Sequence, residues 1–105
     1  MTDPRASLVA GLRDRIARFR GTGDVQALLS HDAHLEVRAL IGPHEPIGTE
    51  ATYVAGLAYW LRYRAGGPTE ELVPALRLLA AVQDAGEGYE IPGAVRLVLE
   101  CRDAR

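Results

Sequence analysis

The sequence predicts an α+β fold. Apolar residues recur at helical spacing through residues 8–19 and 54–61, and they alternate at period two through 35–41 and 95–101. Breaks rich in proline and glycine, at 42–48 and 65–68, separate these stretches.

The first helix is expected from about residue 4 to 20. Leu8, Leu12, Ile16 and Phe19 form its apolar stripe, with Val9 beside them. Arg13, Arg15, Arg18 and Arg20 avoid the centre of that stripe. Asp3 suits an N-cap, and Pro4 suits the first helical position, where its missing N–H would be unpaired anyway. Arginines in the last turn suit the negative end of the helix dipole, and Gly21 suits a left-handed cap. Asp24 then caps a short second helix, Val25 to Ser30.

"AHLEVRALI" reads as a half-buried strand. Leu35, Val37, Ala39 and Ile41 face one way, and His34, Glu36 and Arg38 the other. "GPHEPIG" is a turn. Thr49 caps a third helix, about 50 to 65, with a core stripe of Val54, Leu57, Ala58 and Leu61. Tyr53 and Trp60 lie on one margin, and Thr52, Gly56, Tyr59 and Tyr63 on the far side. A helix apolar or aromatic most of the way round is covered on two sides.

Residues 70–84 (EELVPALRLLAAVQD) fit two patterns. Leu72, Leu76, Leu79 and Val82 would serve a helix capped by Thr69. Pro74 speaks mildly against it, and a strand from Ala75 serves as well. "GAVRLVLECR" reads as a strand, with Val95, Leu97, Leu99 and Cys101 inward and Arg96, Glu100 and Arg102 outward.

A chain of 105 residues is expected to be a single domain. Its 12 basic and 14 acidic residues leave it mildly acidic, which gives no nucleic-acid footprint. Every basic residue is arginine, with no lysine and no asparagine, a bias of the kind a GC-rich genome produces. One cysteine, Cys101, cannot form an internal disulfide, which fits a reducing compartment. No run approaches a membrane span, and "MTDPRASL" lacks the plan of a signal peptide. A bacterial cytoplasmic protein is expected, with no membrane or nucleic-acid partner and no cofactor.

The stretch "GDVQALLSHDAHLEV", the Pro/Gly turn and "PIGTEATYVAGLAYWL" together resemble the nuclear transport factor 2-like or ketosteroid isomerase-like superfamily. The matching features are "GD" before the second helix, "DA" before the first strand, and "GTEA" opening the long helix. The resemblance implies a cone: three helices in the N-terminal half, packed on an antiparallel sheet. Only about 40 residues follow the third helix, enough for a hairpin, so the C-terminal strands would be truncated.

The resemblance also implies a carboxylate base on the first strand, a tyrosine donor in the first helix and a protonated acid on a late strand. The tyrosine position falls on Ile16, the base falls on Glu36, and the late strand is missing. Without an oxyanion donor pair a lone carboxylate loses the largest catalytic term.

Three functions follow. The first is a non-catalytic domain that binds a small apolar ligand or a partner protein through a homodimeric scaffold. The second is an isomerase, lyase or cyclase with Glu36 or His34 as general base. The third is an adaptor with a filled core. Ile16, Phe19, Tyr53, Leu57 and Trp60 are the expected pocket residues. Gly56, Tyr59 and Tyr63 are the expected dimer contact, since tyrosines bury area and keep a polar handle.

A metal reading uses His31, His34 and His44 with Asp32 or Glu36, but no spacing there fixes a tetrahedron, and no metal site is assigned. The plain alternative for 31–38 is a solvated strand face. There, opposite charges on neighbouring strands contribute about 0.2–1 kcal/mol per pair. Cys101 is expected to be a small buried hydrophobe.

Overall fold

The computed structural model describes residues 4–41, 48–86 and 88–103. These residues form six α-helices: α1 (Pro4–Thr22), α2 (Gln26–Leu29), α3 (His31–Ile41), α4 (Thr49–Arg64), α5 (Leu72–Ala85) and α6 (Gly93–Asp103). A 3-10 turn, Thr69–Glu71, leads into α5. None of the described residues is in a strand, so the α+β expectation and the cone with its truncated sheet are both overturned.

The two misread segments are α3 and α6. In α3 the buried residues are Ala33, Val37 and Leu40, at helical spacing, while Leu35 is 50% exposed. Its start is set by Ser30, whose hydroxyl accepts the Ala33 backbone N–H at 3.2 Å. Asp32 in the first turn and Arg38 in the last complement the helix dipole. In α6, Val95 and Leu99 are buried one turn apart, while Leu97 and Cys101 are exposed. The alternation in each segment was one of two periods the same apolar residues satisfy. Cys101 is therefore not the buried hydrophobe expected.

The segment that fitted both patterns is a helix. Pro74 is the third residue of α5, inside the first turn, where no intrahelical partner awaits its missing N–H. Gly86, at left-handed φ, ends α5.

The short helix begins as expected, with the Asp24 carboxylate accepting the Gln26 N–H at 3.1 Å. The end of α1 lies two residues later than predicted: Gly21 is helical, and Gly23 (φ 73) takes the left-handed conformation, its N–H bonded to the Phe19 carbonyl at 2.8 Å. Gly48, not Thr49, is the N-cap of α4. The predicted Asp3 cap and most of the 42–48 turn lie outside the described residues.

α4 is the axis of the fold. Every residue from Val54 to Trp60 is buried. α5 packs along one side of it and α1 and α3 along the others. Gly56 makes the α4–α5 approach possible: a Cβ there would lie 3.0 Å from Leu78 Cβ and 3.0 Å from Leu79 Cγ. Gly56, one of the expected dimer contacts, thus faces α5 of the same chain. The core joins Leu12 and Ile16 of α1, Val37 and Leu40 of α3, Val54 and Ala58 of α4, and Leu79 and Val82 of α5. Among the described residues, no helix is long and apolar enough to cross a membrane.

Candidate functional site

Two polar ties hold the helices that shape the surface. The first is buried. Arg62 of α4 is 4% exposed and Glu71 of the 3-10 turn 7%. Arg62 Nε donates to Glu71 Oε1 at 2.7 Å, and Nη2 donates to Oε2 at 3.0 Å. Nη1 donates to the Leu28 carbonyl of α2. Nη2 also meets His34 Nδ1 of α3 at 3.3 Å. The same His34 nitrogen lies 3.7 Å from Glu71 Oε2, so the ring abuts both members of the pair. One side chain thereby ties α4 to α2, to α3 and to the entry of α5. A buried charge of this kind is tolerable because it is paired in the two-pronged geometry and each of its three nitrogens has a partner.

The second tie joins α1 to α3. Arg15 Nε donates to Glu36 Oε2 at 2.9 Å, and Arg15 Nη1 to the Ala27 carbonyl at 3.2 Å. The suspected bases are therefore both structural partners: Glu36 is engaged by Arg15, and His34 by Arg62. The isomerase-type reading had needed Glu36 on a strand beside a pocket, and it falls with the sheet. So do the ligand-carrying cone and the argument from missing strands on which the dimer rested. Among the described residues, no three histidine, cysteine or carboxylate groups come together to hold a metal ion; His44 lies outside them.

The concave surface lies on another side, where α1, α4 and the chain entering α6 meet. Tyr53 pins that chain to α4: its hydroxyl donates to the Glu90 carbonyl at 2.8 Å, and its ring stacks on Tyr89 at 4.8 Å between centroids. A cleft of about 430 Å³ is lined by Phe19, Trp60, Leu61, Arg64, Pro92 and Ala94. A second, of about 280 Å³, lies between α1 and α4, with Ile16, Tyr53 and Leu57 in its wall and Arg13 and Arg20 at its edge. A third, lined by Arg20, Tyr53, Glu90 and Pro92, shares Arg20 and Tyr53 with the second and Pro92 with the first.

The five residues expected to line a pocket thus divide between two clefts, Phe19 and Trp60 in one and Ile16, Tyr53 and Leu57 in the other. These are clefts between helices, not a cavity under a sheet. Of the three dimer candidates, Gly56 and Tyr59 are buried within the chain, and Tyr63 is half-buried against Trp60, ring centroids 6.0 Å apart. Burial pushes the Tyr59 hydroxyl above its ordinary pKa, with the nearby Glu71 charge adding to the rise and Arg38, Arg62 and Arg77 opposing it.

Sequence reasoning missed Arg64 and the Pro92–Ala94 wall. Arg64 had a signal: it follows Trp60 by four residues, one turn on, and its guanidinium carbon lies 5.9 Å from the Trp60 ring centroid. Arg64 makes no salt bridge among the described residues, whereas Arg13 pairs with Glu50 at 3.1 Å. The wall had no such signal, because it depends on where α6 docks.

The fold and site define a small all-helical protein with a buried arginine tie and an aromatic cleft. No family model matches the chain, and no curated protein or solved structure matches it.

Proposed function

We propose that the protein is a binding module for a small amphipathic anion, an apolar body carrying one carboxylate, seated in the Phe19–Trp60 cleft. The observation that carries this reading is the composition of the wall. Five liners are apolar, and the single charged one is Arg64, held against the Trp60 face and without an acidic partner among the described residues. Phe19, Trp60, Leu61 and Pro92 favour an alkyl or aromatic body through burial of apolar area. The planar fork of Arg64 matches a carboxylate and favours an anion over a neutral or cationic head. A volume near 430 Å³ suits a small molecule.

Trp60 is the only tryptophan in the chain, so its fluorescence reports on this cleft directly. The test titrates the protein with decanoate, decanol and decyltrimethylammonium. Decanoate is expected to give a saturable change, with the other two at least about tenfold weaker, and Arg64→Ala is expected to weaken decanoate about tenfold, as loss of one charged hydrogen bond does. Equal binding of all three heads, or no saturation by decanoate up to about 1 mM, would overturn the reading.

A further inference from the structure

The Pro92–Ala94 wall of the larger cleft belongs to the start of α6. It is reached through residues 88–92, which have no regular secondary structure. Apolar burial anchors this stretch through Ile91, and through Val95 and Leu99 of α6. Burial of that kind is non-directional and tolerates a small slide. The Tyr53 hydroxyl adds a directional tie, donating to the Glu90 carbonyl at 2.8 Å, two residues before Pro92. From there the chain is stiff. The Pro92 ring fixes its own φ, and the Pro92 carbonyl accepts the Arg96 N–H at 2.9 Å as α6 begins. The position of Glu90 is thereby passed on to Ala94.

We propose that Tyr53 is the positioning residue of the Phe19–Trp60 cleft. By holding Glu90 it sets how closely the Pro92–Ala94 wall sits against Phe19, Trp60 and Leu61, and so how tightly the cleft grips the apolar body of its ligand. Tyr53 does not line that cleft. It lines the two smaller ones, and it shares one of them with Pro92. It therefore acts on the ligand through the wall and not by touching it.

The ring and the hydroxyl of Tyr53 have separate parts. The ring stacks on Tyr89 and stands in the wall between α1 and α4, while the hydroxyl holds Glu90. Arg64, which selects the head group, stands on α4 beside Trp60 and does not depend on where the wall sits. Loss of the hydroxyl therefore loosens the grip on the body and leaves the preference for an anion in place. The bond is exposed to solvent, so the effect is a few-fold change and not a loss of binding. The inference rests on the ligand reading for its binding measurement, and the first measurement below is independent of it.

Tyr53→Phe, which keeps the ring and removes the hydroxyl, tests this on the intact chain. The first measurement is acrylamide quenching of Trp60 fluorescence without ligand. Trp60 is 9% exposed. Its quenching constant is expected to rise about twofold in Tyr53→Phe, through easier local opening of the wall, and to stay unchanged in the control Tyr63→Phe. The second measurement is binding of octanoate, decanoate and decanol, followed by the same fluorescence. In the wild type the two extra methylenes of decanoate are expected to strengthen binding about tenfold over octanoate, and in Tyr53→Phe about threefold. The preference for decanoate over decanol is expected to be the same in both proteins. That split separates a positioning role from general damage to the fold. Wild-type quenching in Tyr53→Phe, or an unchanged octanoate-to-decanoate ratio, would overturn the proposal. So would a variant that loses its preference for decanoate over decanol along with its chain-length ratio. If decanoate fails to bind the wild type, the ligand reading falls, and the quenching result alone decides whether Tyr53 holds the wall.

Discussion

Arg62 and Glu71 meet through two hydrogen bonds, of 2.7 and 3.0 Å, in a part of the molecule where neither residue is more than 7% exposed. The pair spans the connection from α4 to α5, and its guanidinium reaches across to α2 and α3. Removing one member leaves the other buried and uncompensated. Glu71→Ala is expected to cost about 3–5 kcal/mol, and replacing both residues by apolar ones less than the sum of the two single losses. Urea denaturation of the three variants checks this. A single loss under about 1 kcal/mol would show that the tie contributes little.

The close approach of α4 and α5 rests on Gly56. A methyl group there meets Leu78 and Leu79 at 3.0 Å, on side-chain atoms next to the backbone that have little room to yield. Gly56→Ala is therefore expected to destabilise the protein by about 1–3 kcal/mol, despite the better helix propensity of alanine. A stabilised variant in thermal melts would contradict the packing described.

Tyr59 gives the protein an alkaline weakness. Its hydroxyl titrates above its ordinary value, chiefly because it is buried. The folded state then holds this proton more tightly than the unfolded chain. The stabilisation is complete below the unfolded tyrosine pKa and is lost as pH rises from there through the raised folded value. Urea midpoints should fall above about pH 10, and the fall should be smaller in Tyr59→Phe. An identical decline in both proteins would assign the effect to other groups.

The Arg15–Glu36 tie should matter less than the buried one. Each side chain is about a quarter exposed, at 24% and 26%, so solvent screens the pair. Glu36→Ala is expected to cost about 1 kcal/mol, and less at high salt. A loss matching that of Glu71→Ala would mean that α1 and α3 depend on this contact far more than its exposure suggests.

The first and fourth helices were legible in the sequence because each carries a long stripe at one period, bounded by prolines and glycines. α3 and α6 were not, for a physical reason. In residues 33–41 the set Leu35, Val37, Ala39, Ile41 has period two, while Ala33, Val37, Leu40 has the helical period, and a window this short serves both. Ser30 as cap and Asp32 behind it are the signals that decide for the helix. In α6 both faces are apolar, so any period could be found in it. Phe19, Tyr53 and Trp60 were legible as aromatic residues of two helices, but the clefts they line were not, because these depend on how the helices pack. Arg62 was not, because a charge reads as surface by default. The available clue was its place one turn after Tyr59, on a helix with almost no polar face.

The central claim is that residues 31–41 and 93–103 are helices held in an all-helical bundle. Backbone ¹³Cα chemical shifts of the labelled protein test it most directly. The fold described predicts shifts above random-coil values along both segments, of the same sign as those of α4. Values below random coil, alternating with strand-like contacts between Val37 and Leu97, would contradict it.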